Sequence, residues 1–584
     1  MERLHRLLFH RWTQISLHLL VIAALVGALF VASFANSYFN RGVAASANLQ
    51  PIPNTDVNPM AVNTFLDQEA DPAKVQRELE MIQAGGYGYI RQMFPWYEIE
   101  PEKGSFFDNK NNVDAWAKFD RIVNIADSLH IQIIARLDKP PAWARANAPD
   151  LAQYPDGPPD NNADYAAYVS AVVTRYKGKI HYIQIWNEPN LQGEWGGQPI
   201  DPAKFTLLLK AAYSAAKAAD PSIIVLMPGL APTDQTGPTN LSDLLFLQGM
   251  YDAGAKNYFD IASVMVYGYG YSPYDRRVAF ARDNFSRPIQ THDIMVKNGD
   301  GDKAVWATEY GWVSLPSDWT GNPSPWGKPV SPQDQAKYLF QGYIRAQQEW
   351  PWMGVMAIWN FRTVQPPTDP NQVGDPTRGF SIVHFDFSPT PAYTLLQQEA
   401  ARINRAYTGA YTAGSRQIQR SAGWALSGEG THQTLIPQQA GASATIDFSG
   451  TRLDLLLVGG GQGLQVSVDG HAAHLFTNGS SATTRVTVAG DLTDGPHRAE
   501  IVATAGGDQS SSISGFIVVR RTLNSWVYPW IYLALGLLIA VNLASLGWAF
   551  MRFRRDAPPL PAVDHVFSAA DLRAARDPSQ RRQP

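Results

Sequence analysis

The sequence predicts an α/β chain: a (β/α)8 TIM barrel over residues 60–408, an all-β sandwich or jelly-roll domain over 415–521, and a transmembrane helix on either flank. Three observations carry this prediction. Between Met60 and Tyr407, short apolar runs alternate eight times with longer segments of helical period. After Thr408 the texture changes to short alternating runs separated by Gly- and Ser-rich turns. Two uncharged apolar segments, each long enough to cross a bilayer, frame both regions. A chain of 584 residues is also too long for one ordinary core.

The elements follow in order. Residues 1–14 carry Arg3, Arg6 and Arg11 and read as a cytoplasmic N-terminus, and residues 15–35 as the first transmembrane helix, because Ile15 to Phe34 is almost uncharged. A competing reading is a cleaved signal peptide ending at Ala45-Ser46-Ala47; the length of the apolar run and the distance of that site favour an uncleaved anchor. Residues 36–59 are polar and rich in Asn, Pro and Ala, as expected of a linker.

Eight strands are expected at "MAVNTFL", "YGYIRQMF", "IQIIARL", "HYIQIW", "IIVLMPG", "DIASVMVYG", "AVWATEYGW" and "GVMAIWNF". The helices expected with them are Pro72–Ala84, Val113–Leu129, Asn162–Tyr176, Pro202–Ala219, Leu241–Ala253, Tyr274–Lys297, Pro332–Gln348 and Pro391–Ala406. Several open on a capping residue followed by Pro, as in "DPAK" at Asp71 and Asp201 and "SPQD" at Ser331. A doubly wound open sheet is the rival, but no Gly-rich phosphate loop follows the first strand.

In the second domain the runs "ATIDFSG", "RLDLLLVG", "LQVSVDG", "TRVTVAG", "RAEIVATA" and "SGFIVVRR" alternate as half-buried strands do. Residues 526–550 form the second apolar span, opened by Trp526, Tyr528, Trp530 and Tyr532 as an aromatic belt and closed by Arg552, Arg554 and Arg555. Residues 551–584 are charged and rich in Pro and Ala, the composition of a disordered cytoplasmic tail. Basic residues on the outer side of both spans put both termini in the cytoplasm and residues 36–524 outside the cell membrane.

A net charge of −4 gives no argument for nucleic acid as a partner. The absence of cysteine excludes disulfides and thiolate metal sites. No His, Asp and Glu cluster has metal-ligand spacing, so neither a metal nor a cofactor is expected, and His384 and Asp386 read as structural. The 17 Trp and 24 Tyr suit surfaces that stack on sugar rings, as they also suit large cores.

Chemistry on a barrel sits at the C-terminal ends of its strands, so acids there carry the most weight. Glu188 ends the fourth strand in "IQIWNEPN", and Glu309 ends the seventh in "VWATEYGW". Read alone, "NEP" is also good helix-start punctuation. Two carboxylates at one barrel mouth, held in different surroundings, suit acid/base and nucleophilic work on an acetal.

These motifs resemble glycoside hydrolase clan A, the retaining (β/α)8 glycosidases that include families 5 and 39. The resemblance rests on Asn187-Glu188-Pro189, on Glu309 in "TEYGW", on Trp359 after the last strand and on "RQMFPWYEIEPEKGSFFD" from Arg91, and it covers residues 60–408. It implies Glu188 as acid/base, Glu309 as nucleophile and Asn187 as a partner of the sugar 2-hydroxyl. It further implies Arg91 beside the nucleophile, Trp359 as an apolar floor under the reacting sugar, and a strand-six tyrosine, Tyr267, Tyr269 or Tyr271, bonded to Glu309. Tyr267 is preferred among the three because it ends the strand. Many clan members carry His at or near that strand end, which leaves the choice of tyrosine open.

Asp138 and Trp143 in "ARLDKPPAWA", and Trp319 and Trp326 in the long loop after the seventh strand, are further candidates to line the cleft. The β domain resembles accessory modules often attached to glycosidases, with a packing role as open as glycan binding. The expected activity is retaining hydrolysis of an O-glycosidic bond, by clan analogy a β-linkage, in an extracytoplasmic poly- or oligosaccharide. Two alternatives stand beside it: a non-catalytic glycan-binding scaffold on a degenerate barrel, and a transglycosylase using the same intermediate.

Overall fold

The computed structural model describes residues 2–44, 48–148, 151–366, 368–369, 373–459, 461–473, 475 and 482–555. The Ala45–Ala47 segment and the tail from residue 556 lie outside the described residues. The chain divides into two compact units, one from Tyr38 to Ser525 and one made of the two terminal segments.

Eight parallel strands form the barrel: β1 Met60–Thr64, β2 Tyr89–Pro95, β3 Gln132–Asp138, β4 Tyr182–Ile185, β5 Ile224–Leu226, β6 Ala262–Tyr267, β7 Val305–Gly311 and β8 Met353–Ile358. Their order is β5-β4-β3-β2-β1-β8-β7-β6, and the parallel bridges Leu226–Ile261 and Leu230–Val264 close the ring between β5 and β6. The helices between and after them are α1 Pro72–Ala84, α2 Ala117–Ser128, α3 Asn162–Arg175, α4 Pro202–Ala219, α5 Asp243–Asp252, α6 Pro288–Lys297, α7 Pro332–Glu349 and α8 Pro391–Ile403. The expected start signals act as caps. Asp71 accepts from Ala73 N at 2.9 Å, Asp201 from Ala203 N and Lys204 N, and Ser331 from Asp334 N at 3.0 Å.

Period-two alternation sorts the strand residues. Met60, Val62, Ile90 and Ile133 face the helices and belong to the large strand–helix core. Ala61, Tyr89, Ile134 and Trp306 face inward and fill the lower barrel as a separate cluster. Two residues further along the same inward faces stand Asn63, Arg91 and Arg136. The barrel interior therefore turns from apolar to polar toward its C-terminal mouth.

Two expected helices shorten. Val113 and Asp114 pair with Phe107 and Asp108 in a small hairpin, so α2 starts at Ala117. The helix expected from Tyr274 begins only at Pro288, which occupies the first helical turn. The preceding stretch is a loop tied to Asp275, whose carboxylate accepts from Arg277 at 2.8 Å and from Arg282 at 2.5 Å.

After α8 the chain forms two antiparallel sheets. One contains Trp424–Ser427, Thr434–Pro437, Ser512–Val519, Arg452–Val458 and Thr483–Ala489, with Gly409–Thr412 paired to Ser512–Val519. The other contains Ile418–Arg420, Ser443–Gly450, Gly495–Ala503, Leu464–Val468 and His471–Ala472. Phe448, Leu455, Ile501 and Phe516 are fully buried in their shared core. The strands from Gly409 to Pro437 went unread in the sequence because they are only three or four residues long. Backbone bonds from Ala406 N to Asp447 O at 3.0 Å and from Ser449 N to Ala406 O at 2.8 Å join this region to the end of the barrel.

In the terminal unit, two apolar stretches, Trp12–Asn40 and Leu523–Arg552, are long and apolar enough to cross a membrane. They belong to helices Glu2–Asn40 and Leu523–Arg555, so the first helix runs into the segment expected to be linker.

Candidate active site

The polar layer at the barrel mouth is built around Arg91. Its side chain is 2 % exposed and spends its donors on four inward-facing acceptors. Nε donates to Gln184 Oε1 at 2.7 Å, Nη1 to Asn63 Oδ1 at 2.8 Å and Glu309 Oε1 at 3.0 Å, and Nη2 to Asn187 Oδ1 at 2.8 Å. Asn63 and Arg91 are register partners on β1 and β2, so their meeting follows from strand pairing. Asn63 is held in turn by donating to Thr308 O at 3.0 Å. A planar fork with five donors can clamp this many acceptors in fixed directions; a lysine cannot.

Glu309 reaches the mouth through an irregularity in β7. Between the pairs Val264–Ala307 and Met265–Glu309 the register slips by one residue at Thr308. Strict alternation from inward-facing Trp306 would turn Glu309 toward the helices; the bulge turns it inward instead. Its second oxygen accepts from the Tyr267 hydroxyl at 2.5 Å. Burial, then the Glu309 charge, pushes the Tyr267 phenol well above its ordinary range, so it remains a donor. Glu309 therefore has one cationic and one neutral donor, which fix the orientation of its carboxyl group.

Glu188 is positioned by a backbone departure beyond β4. Trp186 and Glu188 have φ of 67° and 42°, in the left-handed region. Asn187 bridges to Gly229, and Glu188 N donates to Gly229 O at 2.9 Å. Trp186 fills the core while Asn187 and Glu188 face the cavity. Among the described residues the Glu188 carboxyl has no hydrogen-bond partner. Burial, then the carboxylates of Glu309 and Glu194, pushes it well above the usual carboxylate range, against the opposing pull of Arg136 and Arg91. The two acids thus occupy one cavity in different surroundings.

That cavity has a volume of about 340 Å³. Aromatic residues gather on the Glu309 side: Tyr267, Trp326 at 6.0 Å from its ring, Trp359, and Phe65 edge-on to Trp359 at 5.3 Å. Arg136, Lys139 and Glu194 also line it.

Of the residues singled out in the sequence, Glu188, Glu309, Arg91, Asn187, Tyr267, Trp326 and Trp359 line this one cavity. Tyr269 and Tyr271, the alternatives to Tyr267, do not, and neither do three others. Asp138 is 2 % exposed and turns to Arg136, whose Nε donates to its Oδ2 at 2.6 Å. Trp143 packs edge-on against Trp96 at 5.4 Å and donates to Glu100 O at 3.1 Å. Trp319 closes its own loop by donating to Asn322 O at 2.9 Å. Asn63, Gln184, Arg136, Lys139 and Glu194 were missed. For the first three a signal existed: each is a polar residue inside an apolar strand, in phase with the inward face.

No family model matches the chain, and no curated protein sequence matches it. Among solved structures it is similar to a family 39 glycoside hydrolase from the gut symbiont Bacteroides cellulosilyticus WH2, at 18 % identity over 78 % of this chain and 83 % of that one, with a TM-score of 0.44. It is similar to a glucosidase from Croceicoccus marinus, at 15 % identity over 78 % and 98 % of the two chains, with a TM-score of 0.43. It is also similar to a GH39 enzyme from Xanthomonas axonopodis pv. citri, at 14 % identity over 79 % and 96 %, with a TM-score of 0.42. What the cavity can do follows from its own residues.

Proposed function

We propose that the chain is a membrane-anchored, retaining glycoside hydrolase that acts on an extracytoplasmic poly- or oligosaccharide, in clan analogy through a β-linkage. One observation carries this reading. A single cavity holds Glu309 between Arg91 and Tyr267, and Glu188, without a hydrogen-bond partner among the described residues and pushed toward its protonated form. Glycoside cleavage with retention needs that division of labour between two carboxyl groups.

In the first step Glu309 attacks the anomeric carbon while the bond from that carbon to the leaving oxygen breaks. The proton of Glu188 moves to the leaving oxygen. In the second step Glu188 takes a proton from water, the water oxygen bonds to the anomeric carbon, and the ester to Glu309 breaks. Asn187 is fixed by Arg91 at 2.8 Å, and its NH2 group, which donates no hydrogen bond among the described residues, would meet the sugar 2-hydroxyl. Trp359 and Trp326 supply apolar faces for the ring. The domain assignment is a catalytic barrel over 60–408 and an accessory sandwich over 415–521. Two apolar ends, each bordered by Arg on its outer side, support a two-pass topology with both termini cytoplasmic.

The test is trapping of the intermediate. Full-length protein in detergent is incubated with a panel of 2-deoxy-2-fluoro-β-glycosyl fluorides, and peptides are analysed by mass. A glycosyl adduct on Glu309 is expected, with a product of retained configuration by NMR. An adduct elsewhere, or an inverted product, sinks the assignment.

A further inference from the structure

Glu194 and Lys139 are used neither by the barrel core nor by the two-step mechanism, yet both line the cavity. Lys139 follows β3 in the left-handed region, with φ of 59°, and its carbonyl accepts from Tyr97 N at 3.0 Å. Glu194 lies six residues after Glu188, and its carbonyl accepts from Trp186 Nε1 at 3.2 Å. Both backbones are therefore fixed, while the side chains keep 20 % and 25 % exposure.

Their hydrogen-bonding capacity is underused. Lys139 Nζ donates to Asp156 Oδ2, which leaves two donors, and lies 3.9 Å from Glu194 Oε2, beyond hydrogen-bond reach. The Glu194 carboxylate accepts no hydrogen bond among the described residues. An ammonium has three donors and a carboxylate about four lone-pair sites, so spare donors face spare acceptors across a gap. A hydroxyl group donates and accepts at once, and is the group that satisfies both.

The pair stands beside the acid. Lys139 follows β3 and Glu194 shares with Glu188 the loop after its neighbour β4, whereas Tyr267, Trp326 and Trp359 come from the end of β6 and from the loops after β7 and β8, the side that carries Glu309. The acid/base residue faces the departing oxygen, so a polar pair beside it meets the leaving sugar and not the one being attacked. We propose that Lys139 and Glu194 form the leaving-group subsite, and that they select a neutral sugar by bridging its hydroxyls. The proposal rests on the glycosidase reading above and adds which side of the scissile bond is recognised by polar contacts.

The experiment compares each variant on two substrates that share the sugar being attacked. One is a β-1,4-linked xylo-, manno- or cello-tetraose, whichever the wild type cleaves; the other is the matching 4-nitrophenyl glycoside, which has no leaving sugar. For Glu194→Ala and for Lys139→Met, kcat/KM on the tetraose should fall roughly 10- to 100-fold further than on the aryl glycoside, mainly through KM. Equal losses on both substrates, or no loss on the tetraose, overturn the subsite while leaving the glycosidase reading intact. Calorimetric binding of the tetraose to Glu188→Gln and to Glu188→Gln/Glu194→Ala gives the same answer without turnover. Equal affinity of the two rejects the proposal. A wild type that cleaves no glycoside of the panel removes the glycosidase reading and the subsite together.

Discussion

Replacing Glu188 by Gln removes a proton donor and almost nothing else. The two side chains have the same shape. The backbone bonds that fix this residue, from Glu188 N to Gly229 O and from Leu191 N to Glu188 O, both at 2.9 Å, do not involve the carboxyl group. Among the described residues the carboxyl has no hydrogen-bond partner to lose. The amide even removes a like charge facing Glu309 whenever Glu188 would ionise. The loss in rate is therefore the contribution of general acid catalysis, about 10²- to 10⁴-fold in kcat/KM for an oligosaccharide whose leaving alkoxide must be protonated. A 2,4-dinitrophenyl glycoside needs no such proton, and its kcat/KM, which reports only the first step, should fall less than about tenfold. The pH profile gives a second reading. Burial, Glu309 and Glu194 hold Glu188 protonated above the ordinary carboxylate range, so the alkaline limb of the wild-type kcat/KM profile should lie above that range. In Glu188→Gln the alkaline limb should disappear. Stopped-assay kinetics on both substrates from pH 4 to 9 decide the matter. Equal losses on the two substrates, or an alkaline limb that survives the substitution, would refute Glu188 as the acid.

Arg91→Met should leave Asn63, Gln184, Asn187 and Glu309 each short of a donor in a buried layer. A stability loss of about 3–5 kcal/mol in denaturant titration is expected, and a loss under about 1 kcal/mol would contradict it. Trp326→Ala should raise KM for oligosaccharides, because Trp326 lines the cavity; Trp319→Ala should not, because that indole is tied to Asn322. Equal effects on KM would show that the loop rearranges on binding. Burial, against the opposing charge of Arg362, pushes Glu78 up to about 7. Its folded value is raised, so its stabilising contribution is complete below about pH 4.5 and lost as pH rises through about 7. Over that window the wild type should lose about 3 kcal/mol relative to Glu78→Gln, read from melts at several pH values. Finally, a cysteine introduced at exposed Gln419, in a chain with no other cysteine, should react with an impermeant maleimide on intact cells. Labelling only after permeabilisation would reverse the proposed topology.

The eight strands were legible because each is a run of apolar residues broken by turn chemistry, and that pattern survives in any fold that buries the strand on both faces. Glu188 and Glu309 were legible because an acid at the end of such a run is conspicuous. The clamp between them was less so, and the reason is geometric. Asn63, Gln184 and Arg136 sit inside apolar runs, where a single polar residue looks like noise until the inward phase of every strand is known. Once Ala61, Tyr89, Ile134 and Tyr182 are seen to face inward, period two places Asn63, Arg91, Arg136 and Gln184 on the same layer. The rule has one exception that matters. Glu309 is out of phase with Trp306, and only the register slip at Thr308 brings it into the cavity. A bulge leaves no mark in residue types, so the phase of Glu309 had to come from structure. The same limit explains Asp138 and the loop tryptophans. Asp138 shares the inward face with Arg136 two residues earlier, and a buried acid so close to a guanidinium is captured by it before any ligand can compete. Trp143 and Trp319 lie on loops, where nothing periodic fixes which way a side chain points. Periodic elements therefore disclose their functional residues through phase, while loop residues disclose theirs only through the partners they find. Lys139 and Glu194 belong to that second class, and what identifies them is the capacity for hydrogen bonding that their neighbours leave unused.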